Sequence, residues 1–264
     1  MATSDRTDEW AALADRFVGE HYASLRGRVR THVIHQHLRS HLAAPPLAVV
    51  DVGGGAGNQS IPLARDGYDV TIVDSSPAML ERAAQAIAAE DGDGARRVRL
   101  VEARGEDAPR VLAGERFGAV LCHGVLMYLH DPAPMAASLC ELTAPGGLVS
   151  IVAKNVEVLA ARHAHEGDWA AALAAFDRKR QVNGLGVDTR GDSVQDLSDL
   201  LARHGVDPIA WYGVRLFTDG WVPDRVPDDP EDLVLQVELE ASRRDPYRRL
   251  SRLFHLVGRH PPLP

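Results

Sequence analysis

Three glycines at alternate positions, Gly53, Gly55 and Gly57, stand directly after the apolar run of Val49, Val50 and Val52, and Asp74 closes the next apolar run. Residues without a Cβ let the chain turn sharply and let a ligand touch its backbone. A helix starting near Asn58 would turn free N–H groups toward the same place. A carboxylate at the tip of the second strand can accept hydrogen bonds from two ribose hydroxyls. The combination predicts a site for a nucleotide-like cofactor, with Gly54 and Ser75 in the same two loops. Asp74 has one structural alternative, capping the helix that begins at Pro77 through Ser75 and Ser76.

The spacing separates two kinds of cofactor. A dinucleotide loop reads G-x-G-x-x-G, with its third glycine packing the helix under a pyrophosphate. Counted from Gly53, the sixth position here is Asn58. The pattern present is D-x-G-x-G-x-G, beginning at Asp51. A buried carboxylate at Asp51 must be paired. The loop backbone, or a ligand ammonium reached through water, is the expected partner, so that Asp51 acts through the loop rather than by direct contact.

Further candidates lie where ligands bind in a doubly wound sheet, beyond the carboxyl ends of the strands. After the third strand come Arg104, Gly105 and Glu106, and after the fourth come His123, Gly124 and Val125. His123 is read either as a cofactor contact or as a packed histidine under the cleft floor.

These loops need a frame of alternating strands and helices. Strands are expected over 47–52, 69–73, 98–102, 119–123 and 148–153, with helices over 59–66, 77–89 and 132–143 between them. A-P-G-G-L at 144–148 turns the chain into the fifth strand. This rhythm predicts an α/β fold: a doubly wound, seven-stranded, mostly parallel sheet covered on both faces. Its last strands are placed at 209–217 and 253–258, with a helix over 230–243 between them. Helix-like stretches at 10–17 and 25–42 precede the sheet, so residues 1–43 are read as N-terminal capping helices and 44–264 as the main domain. Residues 156–193 are expected to form a lid inserted after the fifth strand, helical over 156–180 and loop-like over 181–193. A further helix is expected over 194–204.

Composition bounds the reading. The chain has 264 residues, 45% hydrophobic and 25% charged, which suits one decorated domain. The expected location is cytoplasmic, because no run is long and apolar enough to span a bilayer and the first residues lack a signal peptide's apolar region. Cys122 and Cys140 read as buried thiols rather than a disulfide framework. Spacings such as His35-x-His37 match no zinc signature, and no metal is expected. A net charge of −8 argues against broad binding to phosphate backbones. The arginines at 243, 244, 248, 249, 252 and 259 nevertheless make the C-terminal segment locally basic.

Several segments together carry a resemblance. V-V-D-V-G-G-G-A-G-N-Q, I-V-D-S-S-P-A-M-L-E-R-A, V-L-C-H-G-V-L-M-Y-L-H-D-P and L-T-A-P-G-G-L-V-S resemble the motifs of class I S-adenosylmethionine-dependent methyltransferases. With Y-G-V-R-L-F-T-D and D-P-Y-R-R-L-S-R-L-F-H-L-V added, nearly the whole chain is similar to the bacterial tRNA 5-carboxymethoxyuridine methyltransferase family. The resemblance implies methyl transfer from S-adenosylmethionine to the carboxylate of 5-carboxymethoxyuridine at the tRNA wobble position, with S-adenosylhomocysteine as product. By position it carries cofactor contacts to Arg30, Gly53, Gly54, Asp74, Gly105, Glu106 and His123, and RNA contacts to Tyr212, Arg215 and the C-terminal arginines. Arg30 would meet the methionine carboxylate. Within the lid, R-K-R at 178–180 stands where the family has a lysine-rich run, and Met127 where an acidic residue is familiar.

Whether a base is needed depends on the acceptor. A carboxylate is already ionised at neutral pH and needs only orientation by cations, of which Arg30, Lys154, Arg178 and Arg215 are available. A phenol or amine acceptor would call for a base such as His123 or a tyrosine. No catalytic residue is fixed by the sequence, and Arg215, Tyr212 and Lys154 are the positioning candidates. Two alternatives stand beside the tRNA reading: a small-molecule O- or N-methyltransferase, and a cofactor-binding partner subunit without catalysis.

Overall fold

The computed structural model describes residues 22–183, 186–220 and 231–262. The helix-like stretch expected at 10–17 lies outside them. Strands β1 (Ala48–Val52), β2 (Asp69–Asp74), β3 (Val98–Glu102), β4 (Phe117–His123), β5 (Thr143–Lys154), β8 (Asp207–Val214) and β9 (Leu253–Arg259) form one sheet in the order β3-β2-β1-β4-β5-β9-β8, while β6 (Arg180–Val182) and β7 (Asp188–Arg190) form a separate hairpin. Strands β1 to β5 run parallel, and β9 is antiparallel to both of its neighbours. The order reverses between β1 and β4, and this opens a crevice at their carboxyl ends.

Helices α1 (Leu25–His41), α2 (Ser60–Arg65), α3 (Pro77–Ala88), α4 (Ala133–Leu142), α5 (Leu159–His165), α6 (Trp169–Ala175), α7 (Val194–Arg203) and α8 (Glu231–Ala241) complete the fold. Several begin at side-chain caps legible in the sequence. Ser24 accepts from the Gly27 N–H, Ser76 from that of Met79, with Pro77 in the first turn, and Ser193 from that of Asp196. Such caps stabilise a helix by about 1 kcal/mol each.

The central strands are buried on both sides, and their alternation sorts the core into two clusters. Val50, Val52, Val120, Cys122, Val149 and Ile151 pack with α4 and α7. Val49, Ala119, Leu121, Leu148 and Val152 pack with Val29, Val33, Ile34 and Leu38 of α1. Each such side chain removed from water contributes roughly 2 kcal/mol. Asp51 shares the α1 side with Val49, so its carboxylate points into that core rather than toward the crevice.

The structure departs from the sequence expectations in several places. Strand β5 starts at Thr143 instead of 148, so that A-P-G-G, expected as the turn into it, lies within the strand. Residues 181–193 are not a loop: β6 and β7 pair there, joined by an Arg180–Asp188 ion pair at 2.6 Å, and strands of three residues are too short to show a period. The helical stretch expected over 156–180 is broken into α5 and α6 at Gly167, whose φ is +78°. Strand β8 ends at Val214 instead of 217, because Arg215 takes a φ of +63° and turns the chain away. Strand β4 starts two residues early, at Phe117. No helix among the described residues is long and apolar enough to cross a membrane.

Candidate active site

The glycine loop leaves β1 with its first turn fixed by a hydrogen bond from the Gly53 N–H to Val73 O at 2.6 Å. Gly53 has a φ of +73°, and a Cβ there would overlap the Val125 side chain from the loop after β4. Only glycine therefore lets the β1 and β4 loops meet over the crevice. Asp74 ties the second loop to the first: one carboxylate oxygen accepts from the Gly55 N–H at 2.9 Å and the other from the Ser76 N–H at 2.9 Å. Helix capping itself falls to Ser76. Burial raises the Asp74 pKa, and the backbone donors at Ser76 and Gly55 oppose that rise. Each oxygen keeps a further lone pair, so the carboxylate can still accept from a ligand.

These loops line a cavity of about 390 Å³. Gly53, Gly54, Gly55, Asp74, Ser75, Gly105, Glu106 and His123 all border it, as do Tyr22, Tyr128, His130, Asp131 and Met135, which the sequence reading did not single out. Tyr128, His130 and Asp131 lie within the segment V-L-C-H-G-V-L-M-Y-L-H-D-P but carry no spacing that marks them, while Tyr22 and Met135 are brought in by the segment before α1 and the start of α4.

Two expected cofactor residues stand behind this wall. Arg30 is buried on α1; its Nη2 donates to the backbone carbonyl of His123 at 3.1 Å and its guanidinium lies 5.4 Å from the Tyr22 ring centre. It therefore braces the end of β4. Gly57 does not border the cavity either: a Cβ there would crowd Ile61 and Ile72, so this glycine lets α2 pack on the sheet. Asp51 finds a partner other than the loop backbone, for Ser60 donates its hydroxyl to Oδ2 at 2.7 Å. Oδ1 has no partner, and burial raises the Asp51 pKa to about 6.

A second group lies at the same edge of the sheet, over β5, β9 and β8. Lys154 ends β5 and sits in register with Leu253. Arg252 precedes β9 and donates its backbone N–H to Arg215 O at 3.1 Å. Asp219 pairs with Arg215 and lies 3.7 Å from the Arg252 Nε. Arg26 of α1 donates to Thr218 O at 3.0 Å, and Arg162 of α5, paired with Glu166, is near enough to act on Lys154 and Arg252. Arg215 Nε and Arg252 Nη1 are buried without a hydrogen-bond partner. Burial, reinforced by Arg252, lowers the Lys154 pKa to about 7, and its Nζ donates to Thr189 Oγ1 at 2.9 Å. Among the described residues Asp219 is the one carboxylate paired with Arg215 and Arg252, and with two of their donors unused these arginines can receive an anion.

Tyr212 does not join Lys154 and Arg215. Strand alternation turns it toward α1, where its ring stacks 3.9 Å from that of His37 and its hydroxyl meets His41 Nε2 at 2.7 Å. The C-terminal arginines also differ from a free basic face. Arg244 pairs with Glu240, Arg248 and Arg249 share Asp245, and Arg259 donates to the carbonyls of Gly146 and His41. Arg178 is exposed. Among the described residues no three His, Cys, Asp or Glu side chains gather to hold a metal ion.

The hairpin β6–β7 packs on the turn at 126–128 beside the cavity, with Arg190 donating to His130 O at 3.2 Å. The segment after β5 thus borders the site. On α6, Trp169 and Leu173 share one face with Phe176, and all three are more than two-thirds exposed, at 71%, 73% and 75%.

With this geometry in hand, comparisons with known proteins are specific. Residues 50–149 match the family model described as a methyltransferase domain. The chain is similar to the tRNA 5-carboxymethoxyuridine methyltransferase of Escherichia coli K12, with 27% identity over 252 residues, 94% of this chain and 95% of that protein. It is also similar to the ubiquinone biosynthesis O-methyltransferase of Methylobacterium nodulans, 39% identical over 111 residues, or 42% of each chain. Among solved structures, the Burkholderia thailandensis 1,6-didemethyltoxoflavin-N1-methyltransferase, with bound 1,6-didemethyltoxoflavin and S-adenosylhomocysteine, shares the fold with a TM-score of 0.56 at 19% identity, over 97% of this chain and 87% of that one.

The cavity's chemistry fits S-adenosylmethionine. Its charged lining is Asp74, Glu106 and Asp131 against Arg104, which lies 3.7 Å from Glu106. A cationic nucleoside suits that lining, whereas a pyrophosphate would meet uncompensated carboxylates. The cavity volume lies in the range of small-ligand sites.

Proposed function

We propose that this chain, an S-adenosylmethionine-dependent methyltransferase of the class I fold, esterifies the carboxylate of 5-carboxymethoxyuridine at the tRNA wobble position. The observation that carries the carboxylate acceptor is the cation group of Lys154, Arg215 and Arg252, with its two unused buried donors at the carboxyl edge of the sheet. The tRNA part rests on likeness over nearly the full length of both chains. The exposed Trp169 and Phe176 beside Arg178 support it, since aromatic faces next to cations are where unpaired bases stack. A tRNA acceptor places the protein in the cytoplasm.

When bound, S-adenosylmethionine supplies an electrophilic methyl on a sulfonium. The chain's own residues then have three tasks. Gly53 to Gly55 and Asp74 hold the nucleoside, with Ser75, Gly105, Glu106 and His123 around it. Arg215, Arg252 and Lys154 orient the acceptor carboxylate, which is ionised at neutral pH and needs no base. The segment 156–193 acts as a lid that keeps water from the transfer path. Catalysis is then mainly positioning.

A small-molecule carboxylate acceptor is the second reading. The paired state of Arg244, Arg248 and Arg249 favours it, because it leaves few free cations for a phosphate backbone. The test is label transfer from S-adenosylmethionine to tRNA carrying 5-carboxymethoxyuridine, with unmodified tRNA as control. Alkali-labile label on the modified tRNA alone is expected. Absence of transfer to that tRNA, with turnover of free carboxylic acids, would establish the second reading instead.

A further inference from the structure

A line of buried polar side chains crosses the sheet from α8 to the cavity wall. Ser242, just past α8, meets His37 Nε2 of α1 at 2.8 Å; His37 Nδ1 meets His255 Nδ1 of β9 at 3.3 Å; His255 Nε2 meets Ser150 Oγ of β5 at 2.7 Å; and Ser150 Oγ meets His123 Nε2 of β4 at 2.8 Å. All five residues are buried, and His123 borders the cavity.

The direction of every hydrogen bond follows from one end. Ser242 Oγ lies 2.6 Å from Leu239 O. A carbonyl cannot donate, so the serine's only proton is there. His37 must then donate from Nε2. Burial, with His255 and Arg243 adding to it, keeps His37 uncharged by lowering its pKa to about 2. Its Nδ1 is therefore a lone pair that accepts from His255 Nδ1–H. His255 is likewise neutral, its pKa lowered to about 3 by burial and then by His41 and Arg30. Its Nε2 accepts the Ser150 proton, and Ser150 Oγ in turn accepts from His123 Nε2–H. Burial, then His255 and Arg30, hold His123 neutral as well. That leaves a lone pair on His123 Nδ1, a buried atom with no partner in the protein.

We infer that Ser242, His37, His255 and Ser150 are positioning residues that fix the tautomer and the ring orientation of His123, a residue of the cavity wall. The opposite tautomer would put an N–H at the buried Nδ1 and reverse every hydrogen bond of the chain, leaving a donor unmet there. The chain acts at a distance, for Ser242 and His123 lie on different elements and share no contact.

Ring 15N shifts of the full-length protein, with His123 assigned through His123→Gln, test this without turnover. The expected wild-type pattern is protonated Nε2 and unprotonated Nδ1 at His123. Ser242→Ala leaves the His37 Nε2–H without an acceptor. The two polarities of the chain then become comparable, and His123 acquires Nδ1–H character. Ser150→Ala severs the link, and calorimetry should show S-adenosylmethionine binding weakened by about tenfold. Ser150→Thr should restore both readouts, and it keeps the test open if Ser150→Ala fails to fold. An Nδ1–H tautomer in the wild type, or a His123 tautomer unmoved by both alanine variants, would overturn the inference. Lack of S-adenosylmethionine binding by the wild type would instead sink the cofactor reading and leave the tautomer result standing.

Discussion

Two stretches of the sheet's carboxyl edge are built on opposite plans. Over β1 and β2 the wall is backbone, carboxylate and lone pairs: Asp74 with free acceptor capacity, Glu106 and Asp131, and unpartnered acceptors behind or beside it at Asp51 Oδ1 and His123 Nδ1. Over β5, β9 and β8 the pattern inverts. Among the described residues Lys154, Arg215 and Arg252 outnumber the carboxylates paired with them, and the unpartnered atoms are donors on Arg215 and Arg252. One side is short of a cation and the other of an anion. A sulfonium donor and the carboxylate acceptor proposed above would complete both sides.

Breaking the donor side should have the largest effect. Asp74→Ala removes charge-assisted bonds to the nucleoside as well as the tie to Gly55, and S-adenosylhomocysteine affinity should fall by about a hundredfold by calorimetry. Arg252→Met should separate the sides: acceptor kcat/KM drops by about thirtyfold while S-adenosylhomocysteine affinity stays within twofold. If both fall together, the two stretches are one site and the comparison fails.

A smaller effect distinguishes the kinds of acceptor. Trp169→Ala should weaken tRNA binding by about tenfold in a filter assay if bases stack on α6. It should leave turnover of a small carboxylic acid unchanged.

The mildest test is a pH profile. Lys154 has a pKa of about 7, below its ordinary value of 10.5. It is therefore charged below pH 7 and loses its proton as the pH rises through that value. Acceptor affinity should decline by a few-fold between pH 6 and pH 8, and Lys154→Met should flatten the profile. For folding the sign is reversed. Between about 7 and 10.5 the unfolded chain holds more protons than the folded one, so this group makes stability rise with pH over that window. A denaturant titration reads that slope directly.

How much of this could be read beforehand follows from the same contrast. On the donor side Val49 to Asp74 is one β-α-β unit, and its glycines and aspartate are placed by local geometry, so Gly53, Gly54, Gly55, Asp74 and Ser75 all border the cavity. Gly57, named from the same motif, and Arg30, named from the family resemblance, stand one layer back, since a motif fixes residue type more tightly than it fixes what a side chain touches. On the acceptor side Arg26, Lys154, Arg162, Arg215, Asp219 and Arg252 come from distant parts of the chain. Of these, only Lys154 and Arg215 were among the positioning candidates. Tyr212 stood beside Arg215 in the sequence, yet its ring packs on His37 and its hydroxyl on His41 of α1 instead of joining the cations.

The sequence by itself determined the parallel frame, the helix starts and the nucleoside loop, because hydrophobic period, serine caps and glycine backbone freedom all act within a few residues. Only the tertiary structure decided which charges remain uncompensated. Whether an arginine is free depends on what lies across from it: Arg244, Arg248 and Arg249 meet carboxylates, whereas Arg215 and Arg252 share a single aspartate. The tautomer of His123 belongs to the same category. It is set by a serine more than a hundred residues away through hydrogen bonds that exist only once the sheet and α1 have packed.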